Sequence, residues 1–253
     1  MKYLIALAAI FIAAGRVQGA ITCPAAPYST YTALGFSCEI NGSFFSNFEF
    51  PATPNGGDLT PADITVSPLS ALDSVGLRFS ANFSATGTFD GPGNSEGQVA
   101  EQYRFFFDVS VPGGVFTDAT ANIAGGSLFS PNAQKPSGYF VGLVVANDGA
   151  GAFVLDDTPG QTDTQALNTA RTNISIDTTA QVGGGASNSS TGGPFGTGEF
   201  DSFDNVFQYE INPVPEPGSA VMLAMAGAIG LLLRGRHTTL FKCGRRGSDH
   251  HAA

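Results

Sequence analysis

Apolar and polar residues alternate along several segments of this chain, and that alternation constrains the fold more than any other feature. Residues 74–85 carry an apolar side chain at every second position, and residues 98–111 do the same with Glu101 as a charged member of the apolar series. Successive side chains of a strand point to opposite faces, so the pattern predicts strands with one buried and one solvated face. Such strands are typical of antiparallel sheets.

The same character is found in four further segments, at residues 42–50, 138–147, 171–182 and 201–211, with clusters of Gly, Pro, Asn and Asp between the strands. In the first of these, the pattern places Phe44, Phe48 and Phe50 on one face. The chain has 21 Phe and no Trp, which predicts a phenylalanine-rich core. Strands at this spacing predict an all-β fold, a single antiparallel β-sandwich of jelly-roll-like type.

Residues 1–19 differ from this strand-rich body and predict a secretory signal peptide. Lys2 supplies a positive charge, and the apolar run at residues 3–14 is too short to span a membrane comfortably. Cleavage is expected after Gly19, with an uncleaved N-terminal anchor as the alternative. We therefore expect residues 20–211 to form one exported β-sandwich domain.

Export determines the oxidation state that is expected for the cysteines. Cys23 and Cys38 lie fifteen residues apart in the exported part of the chain, where the surroundings are oxidising. A disulfide between them is expected, and two free thiols are the alternative. Cys243 follows the apolar run at residues 218–233 and is expected to stay reduced on the cytoplasmic side.

The charge of the body excludes one class of partner. Between residues 20 and 213 there are four Lys or Arg against nineteen Asp or Glu, a net charge of −15. A strongly acidic domain is repelled by the phosphates of nucleic acids and by anionic lipid. We therefore predict no nucleic-acid partner.

The distribution of histidine excludes several kinds of catalysis. His237, His250 and His251 all follow the apolar run, so the exported domain has no imidazole. Hydrolases that rely on a histidine base or a free thiolate, and zinc sites with histidine ligands, need side chains that this domain lacks. The sequence also has no glycine-rich phosphate loop between a strand and a helix. The prediction is a protein that is not an enzyme.

Two uses of carboxylates stay open. Glycoside hydrolysis needs only a pair of carboxyl groups, and Glu101 is the most suggestive of them because it falls in a predicted buried face. Residues 145–163 contain Asp148, Asp156 and Asp157 in a Gly- and Pro-rich setting. Oxygen ligands on loops suit calcium, but the spacing matches no EF-hand, and Asp is also a common turn residue. No cofactor is predicted, with calcium as the alternative.

The C-terminal region combines three features: a Pro-Glu-Pro motif, an apolar run at residues 218–233, and the basic residues Arg234 and Arg236. Sixteen residues make a helix of about 24 Å, short of the ~30 Å hydrocarbon core unless the flanking arginines extend to the interface. Arginines after the run hold that end in the cytoplasm. The run therefore predicts one short transmembrane helix, followed by a short basic cytoplasmic tail at residues 237–253.

These features resemble the PEP-CTERM sorting signal of bacterial envelope proteins, which is also catalogued as an ice-binding protein C-terminal domain. The resemblance covers residues 212–236 and matches Pro215, Glu216 and Pro217 to the motif. It implies processing by an exosortase, a membrane enzyme that recognises the motif while the helix and the arginines hold the chain in the inner membrane. A generic C-terminal anchor is the alternative.

The expected protein is exported through the inner membrane, anchored there by its C-terminal helix, and then delivered to the cell envelope or surface or secreted. Its expected role is structural or adhesive, at the cell surface or within the extracellular polysaccharide. The first alternative is a carbohydrate-binding module, which predicts exposed aromatic side chains such as Tyr28, Tyr31 or Tyr139. A glycoside hydrolase is the second alternative, and it predicts two carboxylates in one cleft.

Overall fold

The computed structural model of the chain describes residues 21–53, 56–87, 99–129, 137–156, 160–185 and 196–211. These ranges form strands almost throughout, with a single four-residue helix, which confirms the all-β prediction. The elements are, in chain order, β1 (Ala26–Pro27), α1 (Tyr28–Tyr31), β2 (Ser37–Ile40), β3 (Ser43–Glu49), β4 (Thr65–Ala71), β5 (Ser74–Thr86), β6 (Val99–Ser110), β7 (Gly114–Ala124), β8 (Ser127–Phe129), β9 (Gly138–Val145), β10 (Ala150–Asp156), β11 (Thr162–Arg171), β12 (Asn173–Gly184) and β13 (Thr197–Ile211).

The strands form two sheets. The six-stranded sheet has the order β10-β9-β12-β6-β3-β2, and the seven-stranded sheet has the order β1-β4-β5-β13-β7-β11, with β8 also paired to β13. Neighbouring strands in both sheets run antiparallel. Each sheet buries one face against the other, as in a β-sandwich. This burial explains why apolar and polar residues alternate along the strands.

The core between the sheets is rich in phenylalanine, as predicted. Within the described ranges, ten Phe side chains are buried: Phe45, Phe48, Phe79, Phe83, Phe105, Phe107, Phe116, Phe200, Phe203 and Phe207. Phe79 of β5 stacks on Phe203 of β13, with 4.9 Å between the ring centroids. Phe105 of the opposite sheet lies 4.8 Å from Phe79. Aromatic contacts of this kind hold the two sheets together.

Strand β3 departs from the predicted pattern. Phe45 and Phe48 are buried, whereas Phe44 is only half-buried, so the prediction that Phe44 and Phe48 lie on one face is wrong. The backbone of Asn47 has φ = 55°, and the pairing of β3 with β6 shifts register between Ser46 and Glu49. A β-bulge inserts one residue, and Asn is one of the few residues that tolerate positive φ.

The N-terminal segment is fastened to the sandwich by the predicted disulfide. Cys23 is bonded to Cys38 in β2, which confirms that pairing. Thr22 also forms a parallel bridge with Glu39, so this segment covers the outer edge of β2. An edge strand that is covered in this way is protected from pairing with another chain.

Several predicted segments lie outside the described residues. They are the signal peptide at residues 1–19, the sorting signal at residues 212–236 with its motif Pro215, Glu216 and Pro217 and its flanking Arg234 and Arg236, and the tail at residues 237–253. Within the ranges that the structure describes, no helix has the length and apolarity that crossing a membrane requires.

Candidate functional site

The tyrosines expected at a binding surface are core residues. Tyr28, Tyr31 and Tyr139 are 0%, 1% and 5% exposed, so the expectation of exposed rings at these positions is wrong. The rings fill apolar space, and the Tyr28 hydroxyl donates to the backbone oxygen of Glu49 at 3.0 Å. Burial raises the pKa of Tyr31 to about 12 and that of Tyr28 well above its usual range. A tyrosine can be buried because its hydroxyl finds a partner there.

Glu101 lies on the inner face of β6, as predicted, at one end of the aromatic core. Its Oε2 accepts a hydrogen bond of 2.5 Å from the Tyr103 hydroxyl, and burial together with this carboxylate raises the pKa of Tyr103. The backbone at Gly57 lies directly against the pair, because a Cβ there would be 2.4 Å from Glu101 Oε2. The arrangement places Glu101 in a phenol–carboxylate contact beneath the backbone of Gly57.

Of the three calcium candidates, Asp148 is the one whose side chain is described, and its carboxylate is surrounded by donors. It accepts hydrogen bonds from the backbone N–H groups of Asn168 at 2.6 Å and Thr169 at 3.1 Å, and from the Thr169 hydroxyl. Arg171 Nε lies 3.2 Å from Asp148 Oδ1. The carboxylate therefore ties the β9–β10 turn to β11.

The other two calcium candidates cannot be placed in the same way. Asp157 and the side chain of Asp156 lie outside the described residues. In the described part of the chain, no group of three or more His, Cys, Asp or Glu side chains is placed to hold a metal ion.

The outer face of the six-stranded sheet carries a cluster that combines exposed aromatic and planar polar side chains. We call this cluster the Phe153 platform and define it as Phe153, Phe140, Thr179, Gln181, Arg104 and Asp177. The strand pairing brings its members together: Phe153 lies opposite Gly142, Gly142 opposite Thr179, and Thr179 opposite Arg104. One row of outward positions thus crosses four strands, β10, β9, β12 and β6.

Two glycines determine how the Phe153 ring lies. Gly142 faces it across the strands, and Gly151 precedes it by two residues on the same face of β10. A Cβ at either glycine would lie 3.2 Å from an atom of the ring, so the ring occupies the space above both backbones. Phe153 nevertheless remains 52% exposed. The glycines thus allow the ring to lie low over the sheet while much of it faces solvent.

Arg104 and Asp177 form the polar half of the platform. The guanidinium makes two hydrogen bonds with the carboxylate, Nε to Oδ1 at 2.9 Å and Nη2 to Oδ2 at 2.5 Å. The guanidinium carbon also lies 4.6 Å from the centre of the Phe106 ring. Two parallel hydrogen bonds and one ring contact fix the orientation of a side chain that would otherwise be mobile.

A shallow groove continues the platform beyond Phe106. Its volume is about 300 Å³, and its polar lining comes from Asn47, Glu49, Asp108 and Ser175. Asn47 Nδ2 donates to Asp108 Oδ2 at 2.6 Å, so the bulge of β3 forms one wall of the groove. The outer face of this sheet therefore combines a recess with an aromatic surface.

The alternation in residues 98–111 predicts that Arg104, three residues after Glu101, lies on the solvated face, but it does not predict the platform. Phe153 lies in a segment without a predicted strand, and its neighbours in the platform come from three other strands. The alternation of Ala152, Phe153 and Val154 between the two faces was the available signal.

Comparisons with known proteins leave the family of the chain open. No family model matches the sequence, and no curated protein matches it. Among solved structures, the chain is similar to TmCBM61 in complex with beta-1,4-galactotriose, with 14% identity, 64% of this chain and 89% of that chain covered, and a TM-score of 0.28. A likeness of this size carries no conclusion about function.

Proposed function

We propose that this chain is an exported bacterial envelope protein, sorted by its C-terminal tail, whose β-sandwich is a non-catalytic structural or adhesive module. Two features support export and sorting. The Cys23–Cys38 disulfide suits an oxidising compartment, and residues 212–236 have the composition of the sorting signal described above. The expected partners are an exosortase, the inner membrane before processing, and extracellular polysaccharide.

The observation that carries the proposal is the position of β13, the last strand before the tail. This strand of fifteen residues pairs with β5 on one side and β7 on the other. It ends at Ile211, four residues before Pro215 in the sequence. Antiparallel ladder bonds run perpendicular to the strands, so tension applied along β13 loads the ladders on both sides together. A central last strand is suited to a module that is held by its C-terminus.

The order of the strands supports the finer proposal of a jelly-roll-like path. The series β5-β13-β7-β11 in one sheet lies opposite β6-β12-β9-β10 in the other. Jelly rolls are eight-stranded double sheets, and among these eight strands consecutive strands alternate between the sheets except at β9 and β10, which are neighbours in one sheet. Such a scaffold exposes two broad outer faces, which is what an adhesive module needs.

The test is to change Glu216 to Ala in the native host and to follow the protein by cell fractionation. Glu216 is the one charged residue of the motif, and we expect its loss to leave a full-length species in the inner membrane. Glu210→Ala, which removes an exposed carboxylate six residues earlier, is the matched control and should be processed normally. Normal trimming and delivery of the Glu216→Ala protein would refute sorting and leave an ordinary anchor.

A further inference from the structure

We propose that the Phe153 platform binds a neutral polysaccharide, with successive sugar units lying across strands β10, β9, β12 and β6. The inference rests on the proposed adhesive function and names the class of ligand for it. It assigns the binding role to a sheet face and not to the core tyrosines.

The position of the Phe153 ring suits stacking on a sugar. A pyranose ring has an apolar C–H face, which packs against the face of an aromatic side chain. Phe153 is 52% exposed and lies low over Gly142 and Gly151, so it offers a flat apolar surface of about the size of one sugar ring. Exposing the apolar face of Phe153 to water costs free energy. A sugar ring stacked on that face would remove part of it from water and recover this free energy.

The side chains beside the Phe153 ring offer polar groups that suit the hydroxyls of a sugar. The rim of a sugar carries hydroxyl groups, each of which donates and accepts hydrogen bonds. Arg104 and Asp177 offer donors and acceptors in one plane, and their mutual hydrogen bonds keep them oriented. Gln102 and Gln181 lie opposite each other one row away and add amide groups on the same face. Preoriented polar groups bind hydroxyls with little loss of side-chain entropy.

The platform is long enough for several sugar units. Phe153 and Arg104 lie in one row on strands that are three neighbours apart, a distance of about 14 Å at the usual strand spacing. A short oligosaccharide has this length. Gly142 and Thr179 lie between the two ends of the row, so only small side chains separate the ring from the guanidinium.

The charge of the protein determines which polysaccharides suit the platform. The body of the chain carries a net charge of −15, which disfavours acidic polysaccharides. On the platform itself, the charge of Arg104 is balanced by Asp177. A protein partner is a poorer fit, because the apolar core of a protein interface needs a large contiguous patch. The apolar surface of Phe153 and its neighbour Phe140 is followed along the row by Gly142, Thr179 and Arg104. A neutral glycan is not repelled by the acidic body, and it needs no large contiguous apolar patch.

The test is affinity gel electrophoresis of the full-length chain, purified in detergent, in gels that contain β-glucan, galactomannan, dextran or acidic polygalacturonate. We expect at least one neutral polymer to retard the protein and polygalacturonate to have no effect. Phe153→Ala should weaken retardation at least about tenfold, the size of one lost stacking contact, whereas Phe153→Tyr should retain it. Phe129→Ala is the matched control, because Phe129 is 54% exposed on β8 of the other sheet.

A second pair of variants tests the polar half. Arg104→Lys loses the two-bond geometry and should weaken retardation. Arg78→Lys should not, although Arg78 makes the same two-bond contact with Asp204, at 2.6 and 2.8 Å, on the other sheet. Thermal unfolding of each variant separates loss of binding from loss of fold.

Four results would overturn the inference: no retardation of the wild type by a neutral polymer, preference for polygalacturonate, undiminished retardation of the Phe153→Ala variant, or self-association that depends on Phe153. Failure of the sorting proposal is a separate result, since normal delivery of the Glu216→Ala protein would leave retardation in the gel unchanged.

Discussion

Asn205 of β13 and Thr178 of β12 form a polar contact within the phenylalanine core. Asn205 Nδ2 donates to Thr178 Oγ1 at 2.6 Å across the two sheets, and both side chains are fully buried. Asn205 Oδ1 has no hydrogen-bond partner among the described residues. A buried polar atom without a partner costs about 1–3 kcal/mol, and this cost offsets the free energy that the hydrogen bond contributes. The main effect of the pair is therefore to favour the one register of the two sheets in which Asn205 meets Thr178.

The contact makes a testable prediction about stability. Thr178→Val removes the acceptor and should lower the free energy of unfolding by about 1–3 kcal/mol, because the buried Asn205 amide then loses its hydrogen bond to Thr178. Adding Asn205→Leu removes the second polar group, and the double variant should return to wild-type stability or exceed it. Urea denaturation measures both. A double variant less stable than Thr178→Val alone would contradict this account.

At the scale of elements, the sequence predicts the strands that bury large side chains. Strands β5, β6, β12 and β13 are predicted with ends within a few residues of those observed. Strand β7 is not predicted, because between Phe116 and Ile123 the hydrophobic residues that it buries are the small Ala119 and Ala121. Ala119 lies opposite Phe207, and the large partner fills the space. The bulge at Asn47 is also invisible in the pattern, since one inserted residue exchanges the two faces of a strand.

Two aspartates close the sandwich where β10 and β11, which belong to different sheets, meet. Asp163 of β11 accepts a hydrogen bond of 2.8 Å from the Phe153 N–H, and Asp148 binds residues 168–171. Each carboxylate accepts hydrogen bonds from backbone N–H groups, as the carbonyl groups of a neighbouring strand would. Asp163 therefore holds the backbone of the residue whose ring lies on the platform.

Asp148 makes the stability of this edge dependent on pH. Hydrogen bonds from Thr169 and Arg171 hold the pKa of its carboxyl below the ordinary value of 3.8. A group with a lowered folded-state pKa stabilises the fold above its unfolded pKa, and this stabilisation is lost as the pH falls through the folded value. Asp148→Asn should therefore reduce stability at pH 7 and have a smaller effect at a pH well below 3.8.

Urea denaturation at several pH values measures this difference. Asp118→Asn is the control, because no hydrogen bond of the Asp118 side chain is found among the described residues. An Asp148→Asn effect that is independent of pH would contradict the assignment.

The disulfide gives a further prediction for the N-terminal element. It closes a loop with a sequence separation of 15, for which the loss of chain entropy in the unfolded state is worth about 3 kcal/mol. Replacing Cys23 and Cys38 by Ser should lower the free energy of unfolding by about that amount, and dithiothreitol should lower that of the wild type but not that of the variant. Equal effects of the reductant on both proteins would contradict it.

For the whole molecule, the two sheets have different proposed roles. The seven-stranded sheet contains β13, which continues into the tail, and the six-stranded sheet carries the Phe153 platform. The composition and alternation of the chain predict the sandwich and its core. They do not predict the platform, because its residues come from four strands that only pairing brings together. The exposed side of a strand has no burial pattern from which to infer its neighbours.

Removal of the tail tests the independence of the two parts. Deleting residues 214–253 leaves β13 complete, since the strand ends at Ile211. We expect a released, folded protein that retains its disulfide and the Phe153-dependent retardation in polysaccharide gels. Mass spectrometry without reductant and far-ultraviolet circular dichroism measure these properties. An insoluble or unfolded product would show that the sandwich needs its tail.

The most direct test of the account is adhesion of intact cells of the native host to a surface coated with the neutral polysaccharide identified in the gels. The account predicts that cells with the wild-type protein or its Phe129→Ala variant adhere. Cells with Phe153→Ala, or with residues 214–253 deleted, should lose that adhesion, since one lacks the binding ring and the other the sorting signal. Equal adhesion by all four strains would contradict an adhesive module that is held by its tail and binds through the Phe153 platform.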